Sequence, residues 1–138
     1  MMEMVIDASA TVPLLLDDER GNIVPEVLEG ILAGTCIAPG IWPWEIANII
    51  WKARRAKRIK PEEIEAIRSL LASFAICTDQ ESASLALTRT LDLAIEHQLT
   101  AYDAAYLELA IRRRAVLASY DADLRKAALG EGISVLPA

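Results

Sequence analysis

The sequence predicts an α/β protein, a three-layer α/β/α sandwich around a central, mainly parallel sheet. Two observations lead there. Short apolar runs alternate with longer capped or amphipathic stretches along the whole chain, which is the pattern of buried strands joined by crossover helices. The 138 residues are 54% hydrophobic and 25% charged, enough apolar matter to close one ordinary core and too much for a disordered chain. No internal repeat, low-complexity tract or linker divides the sequence, so residues 1–138 are expected to form a single domain.

Met2 to Ile6 reads as an apolar strand ending at Asp7. Ser9 to Asp17 follows as a helix, with Pro13 close enough to its start to be tolerated or to bend it. Val24 to Leu32 is a second helix, ended by Gly34, and Thr35 to Ala38 is a strand closed by Pro39-Gly40. Pro43 to Lys57 is a strong helix with proline in its first turn. Pro61-Glu62-Glu63 opens another, its acids at the positive end of the macrodipole, and it runs to about Ser73. Phe74 to Cys77 is the next strand. Ser82 to Gln98 is expected as one long helix with Leu85, Leu91, Leu93 and Ile95 at apolar positions. Thr100 caps a helix over Ala101 to Arg114, Ala115 to Ala118 is a strand, and Asp121 starts a helix through Leu129. Gly130 to Gly132 then separates off a last strand, Ile133 to Leu136.

Charge narrows the function. The formal net charge is −6 and the pI about 4.8, a poor basis for nonspecific duplex binding through a broad basic surface. Nucleic acid remains possible as a substrate if a cation and local basic clusters supply positive charge. No stretch approaches the apolar length of a membrane span, and the start MMEMVID reads directly as a strand rather than a leader, so a cytoplasmic protein is expected. Cys36 and Cys77 stand alone in apolar segments and read as buried free thiols.

Four acids sit where an apolar strand ends or a helix begins: Asp7 in VIDAS, Glu45 in PWEIANII, Asp103 in TAYDAAYLELA and Asp121 in ASYDADLRKAA. Each has a plain explanation as a helix cap or first-turn acid. Jointly they carry more, because Asp7, Glu45 and Asp103 lie among apolar neighbours where an unpaired carboxylate is costly. Glu62, Glu63, Asp79 and Glu81 are the contrast, helix-start acids in polar segments. In an open α/β sheet the carboxyl ends of strands open into one crevice. Four carboxylates meeting there repel one another unless a cation holds them, and an oxygen-only set suits Mg²⁺ or Mn²⁺. Asn48, three residues after Glu45 on the same helix face, is placed to hydrogen-bond the cluster.

With these four motifs in this order over essentially the whole chain, the sequence resembles the PIN-domain ribonucleases, most closely the toxin subunits of VapBC-type toxin–antitoxin pairs. The resemblance implies an Mg²⁺- or Mn²⁺-dependent endoribonuclease whose metal is held by Asp7, Glu45, Asp103 and Asp121, with Asp7 and Asp103 as direct ligands. Glu45 and Asp121 would act through water or complete a second metal position. Ser9 and Thr100 stand at the family's hydroxyl positions, where helix capping explains them equally well, and Ser119 replaces the threonine of many relatives. The resemblance further implies RNA as substrate, with structured tRNA or rRNA expected, products with 5′-phosphate and 3′-hydroxyl ends, a homodimer, and a cognate DNA-binding antitoxin whose peptide blocks a hydrophobic groove.

Two further clusters bear on those expectations. Lys52, Arg54, Arg55, Lys57, Arg58 and Lys60 crowd the end of the Glu45 helix, either as a solvated helix end or as a guide for an RNA backbone, with Lys52, Arg54, Arg55 and Arg58 the candidate RNA contacts. Arg112, Arg113 and Arg114 likewise end the Asp103 helix. Trp42, Trp44 and Trp51 fall within ten residues, with Trp44 and Trp51 seven apart on one face; at least one is expected at an interface, together with Leu14 to Leu16. The single histidine, His97, reads as a surface residue, which leaves no histidine as general base.

Three other functions fit less well. A haloacid-dehalogenase-like phosphatase would carry a second aspartate two residues after Asp7, where this chain has Ser9. A receiver-like module would show an acidic pair near its start, and a non-catalytic PIN-like protein-binding module would be expected to have lost one of the four acids.

Overall fold

The computed structural model describes residues 2–138. Its five strands are β1 (Met4–Ile6), β2 (Cys36–Pro39), β3 (Ile76–Asp79), β4 (Val116–Ala118) and β5 (Val135–Leu136), and its helices are α1 (Ala8–Leu15), α2 (Pro25–Ala33), α3 (Trp42–Arg55), α4 (Glu63–Ser73), α5 (Leu91–His97), α6 (Ala101–Arg113) and α7 (Ala122–Gly130). The strands form one fully parallel sheet in the order β3-β2-β1-β4-β5, flanked by helices in an α/β/α sandwich. Val5 on the central strand pairs with Ile37 on one side and Leu117 on the other. Val5, Ile6 and Leu117 are wholly buried, each such side chain contributing about 1.5–3 kcal/mol.

The chain moves outward from β1 through β2 to β3, then returns to the other side of β1 with β4. The carboxyl ends of β1 and β4 therefore flank the place where the winding reverses, the position at which open α/β sheets form a crevice. Asp7 follows β1 directly, and Ser119 and Asp121 follow β4. On the β2 side, Pro39-Gly40-Ile41 leads straight into α3 and carries Glu45 into its first turn. Trp42 is buried, and its indole N–H donates to Thr11 Oγ1 at 3.2 Å; Thr11 in turn donates to the Asp7 carbonyl at 3.1 Å. This relay ties α3 to α1 beside the strand end.

The structure differs from expectation in four places. Ser82 to Gln98 is not one helix: Ser82–Leu85 is 3₁₀, Ala86–Thr90 is π-helical and only Leu91–His97 is α-helical. Hydroxyls explain the break, since Ser84 donates to the Glu81 carbonyl at 2.7 Å and Thr88 to the Leu85 carbonyl at 3.3 Å, competing with the regular ladder. The first helix stops at Leu15, and a 3₁₀ segment, Asp17–Asn22, follows it. Leu15 and Leu16 are core residues rather than part of an exposed surface. The third strand lies two residues later than expected, and because it is a sheet edge, Cys77 is exposed while Cys36 is buried.

Asp79 and Arg112 also depart from the reading of them as solvated helix-end charges. Glu108 on α6 is fully buried, and Arg112 one turn later donates to both its oxygens, at 2.8 and 2.9 Å. The same guanidinium reaches Asp79 at 2.6 Å and so braces β3 against α6; it holds the Asp79 carboxyl below the usual carboxylate range. Removing one partner of a buried pair leaves an uncompensated charge. Arg112→Ala is therefore expected to lower unfolding stability by roughly 3–5 kcal/mol in urea titration. Arg113→Ala, which frees only a half-exposed pair with Glu3, is expected to cost about 1 kcal/mol or less.

Candidate metal centre

Asp7 is 5% exposed, at the carboxyl end of the central strand. Its side chain makes no capping bond to α1, which removes the plain explanation for an acid there. Two hydroxyls donate to one of its oxygens, Oδ2: Ser9 at 2.7 Å and Ser119, from the end of β4, also at 2.7 Å. These hydroxyls are held in turn by backbone, Ser9 accepting from the Tyr120 amide at 2.9 Å and Ser119 from the Asp121 amide at 3.0 Å. Both serines expected near the acids are thus in direct contact with one of them. Burial raises the Asp7 carboxyl above its ordinary value, the hydroxyls oppose that, and the charge of Asp121 adds to it.

Glu45 is half-buried in the first turn of α3 and makes no cap. Its Oε1 accepts from the Tyr106 hydroxyl at 2.6 Å. Tyr106 is wholly buried on α6, one turn after Asp103. The sequence reading passed over it, although its spacing of three from Asp103 puts both on one helix face. Burial raises the Glu45 carboxyl, and the charge of Asp7 raises it further.

Asp103 stands in the first turn of α6, where Thr100 Oγ1 accepts from its amide at 3.2 Å. Thr100 is therefore a helix cap. The Asp103 carboxyl is pushed up to about 6, first by burial and then by the charges of Asp121, Asp7 and Glu45. Asp121 does cap its helix, its Oδ1 accepting from the Leu124 amide at 2.8 Å. Asn48 is exposed and, among the described residues, has no hydrogen bond to the cluster.

The four acids, distant in sequence, thus share one electrostatic neighbourhood, and among the described residues no lysine or arginine pairs with any of them. Their donors are oxygens only, and Asp7 Oδ1 is left free by both serines. Such a set fits a hard dication. The acids are not drawn into a tight triad: among the described residues, the group whose ligand atoms all lie within 4.8 Å of one another is Glu96, His97 and Glu131. That group includes none of the four. His97 is at the surface, partly exposed, and its Nε2 sits 2.8 Å from Glu131.

The basic candidates divide. Arg58 is clamped by Asp18 at 2.9 Å and Glu19 at 2.6 Å, so its charge is already matched. Arg55 stacks over the Trp51 ring at 5.4 Å, while Lys52 is exposed. Arg54 lines a groove between α3 and α4.

The PIN domain sequence profile matches residues 4–129. Over 123 residues, 89% of this chain and 92% of the relative, the chain is 28% identical to Ribonuclease VapC3 of Pyrobaculum aerophilum. A crystal structure of a Pyrobaculum aerophilum protein superimposes with a TM-score of 0.70 at 24% identity, covering 97% of this chain and 83% of the other, a likeness of fold.

The raised Asp103 carboxyl has a measurable consequence. Between about pH 4 and pH 6 the unfolded chain has lost this proton while the folded chain keeps it, so stability falls as pH rises through that window. In chelator, Asp103→Asn is expected to be more stable than wild type at pH 7, with the difference closing towards pH 4, as read by urea unfolding.

Proposed function

We propose, because the chain belongs to the PIN domain family, that residues 1–138 act as one metal-dependent endoribonuclease domain, the toxin subunit of a type II toxin–antitoxin pair. The observation that carries this reading is the buried Asp7 carboxylate at the winding reversal, held through one oxygen by Ser9 and Ser119, with Glu45 and Asp103 in the first turns of α3 and α6. Similarity to a protein named Ribonuclease VapC3 supports the substrate class. Asp7 and Asp103 are assigned as direct ligands of Mg²⁺ or Mn²⁺, with Glu45 and Asp121 completing the set.

The chemistry that a bound dication supplies is polarisation of a phosphate oxygen and activation of water for in-line attack. Ser9 and Ser119 hold Asp7 by one oxygen and leave the other for the metal. Tyr106 fixes the Glu45 carboxylate from the protein side. Lys52, Arg54 and Arg55, at the far end of α3, are the candidates to attract an RNA backbone; Arg58, matched by two acids, is the weakest of the four. His97, paired with Glu131, takes no part, and products with 5′-phosphate and 3′-hydroxyl ends are expected.

The reading includes a homodimer and a cognate DNA-binding antitoxin, both acting in the cytoplasm. A groove of about 470 Å³ between α3 and α4, with Trp51 and Ile50 on its wall, suits an apolar antitoxin segment. Trp51 is 55% exposed, as a docking residue requires.

Asp7→Asn and Asp103→Asn are expected to abolish chelator-sensitive cleavage of total RNA while leaving circular dichroism unchanged. Millimolar Mn²⁺ or Mg²⁺ is expected to raise the melting temperature of wild type and to have little effect on either variant. An unshifted wild type would overturn the metal assignment. Tyr106→Phe, which strips Glu45 of its donor, is expected to weaken metal affinity by about 10- to 100-fold, measured by Mn²⁺ titration.

A further inference from the structure

A second cleft lies between the start of α3, the irregular segment 82–90 and the start of α6. Trp44 immediately precedes Glu45 and is 74% exposed; Tyr102 immediately precedes Asp103 and is 61% exposed. Both rings line one cavity of about 370 Å³. An exposed large ring is costly to leave in water, and two of them facing one cleft point to an occupant. Between them the lining is small: Gly40, Ala83, Ala101 and Ala105 leave space where longer side chains would fill it. Among the described residues no charged side chain lines the cavity, and besides the Trp44 indole N–H and the Tyr102 hydroxyl its polar side chains are Ser82 and Thr90. The π-helical turn Ala86–Thr90 forms part of a wall, an irregularity that often accompanies functional sites.

We propose that this cleft is a nucleobase subsite, in which one unstacked base of the RNA substrate stacks on Trp44 and Tyr102 beside the scissile phosphate. The assignment rests on the nuclease reading and specifies its substrate as RNA with an unpaired nucleotide next to the cut. Three features favour a base over a peptide side chain. The cleft is lined by the residues that immediately precede two of the acids, Trp44 before Glu45 in the first turn of α3 and Tyr102 before Asp103 in the first turn of α6. Its neutral lining suits a planar uncharged group and not a phosphate. Paired aromatic faces accept any base, because every base has a π-face. Duplex RNA cannot offer such a group without unpairing it, so single-stranded or looped RNA is selected.

The test uses the full chain carrying Asp7→Asn, so that RNA is bound without being cut, and fluorescein-labelled eight-nucleotide oligo(A), oligo(U) and their duplex, followed by anisotropy. Adding Trp44→Ala or Tyr102→Ala is expected to weaken single-strand binding about tenfold or more, the usual scale of a lost base–aromatic stack. Trp44→Phe and Tyr102→Phe are expected to stay within about threefold, because the ring is what stacks. In an otherwise wild-type chain the same alanine variants should raise KM for the oligomers more than they lower kcat. Alanine variants that bind as tightly as their parent while keeping its circular dichroism overturn the subsite, and loss of self-association in sedimentation with RNA binding unchanged overturns it in favour of a protein interface. A parent that binds no single strand overturns it as well. Alanine-sensitive binding without any chelator-sensitive cleavage by wild type supports the subsite while refuting the nuclease reading, so the two fail separately.

Discussion

A carboxylate that water scarcely reaches must be given donors or a cation, and Asp7 is such a carboxylate at the centre of the sheet. Much of the local structure answers that requirement. Two serines from opposite sides of the winding reversal donate to it, and both are pinned by backbone amides of the segment that follows β4. The Trp42–Thr11 relay fixes the helix that follows Asp7 against the helix that carries Glu45. These contacts settle one oxygen of Asp7 and leave the like charges of Glu45, Asp103 and Asp121 nearby with no basic partner among the described residues. The protein interior therefore tolerates an excess of negative charge where the topology opens the sheet.

The buried framework was legible because it rests on period and punctuation. Val5, Ile37 and Leu117 come from runs apolar on both faces, as only a covered parallel strand can be, and Gly34 with a positive φ ends α2 as its position foretold. What stayed hidden depended on contacts between distant residues. Ser82 to Thr90 carries helix-compatible residues, and only hydroxyl competition for the backbone shows why it winds irregularly. Asp79 looked like Glu81, yet Asp79 meets Arg112 at 2.6 Å in a mostly buried pair, whereas Glu81 reaches the same guanidinium only at 3.8 Å from an exposed position.

The same contrast holds at the site. Asp7, Glu45, Asp103 and Asp121 could be picked out because each is an acid at an apolar junction, and the serines because they flank two of them. Tyr106 could not be picked out by polarity, since a tyrosine within an apolar helix reads as packing until its hydroxyl is seen against Glu45. Arg58 shows the limit of counting cations, because Asp18 and Glu19 lie some forty residues earlier in the chain.

The proton that Asp103 retains to about pH 6 sets two equilibria against each other. Any dication entering the quartet must displace it, so hydrogen ions and metal compete for the same oxygens. Mild acid would then relieve the repulsion that loosens the empty fold and, by the same titration, weaken the hold of the acids on the dication proposed for them. The empty protein becomes more robust as it becomes idle.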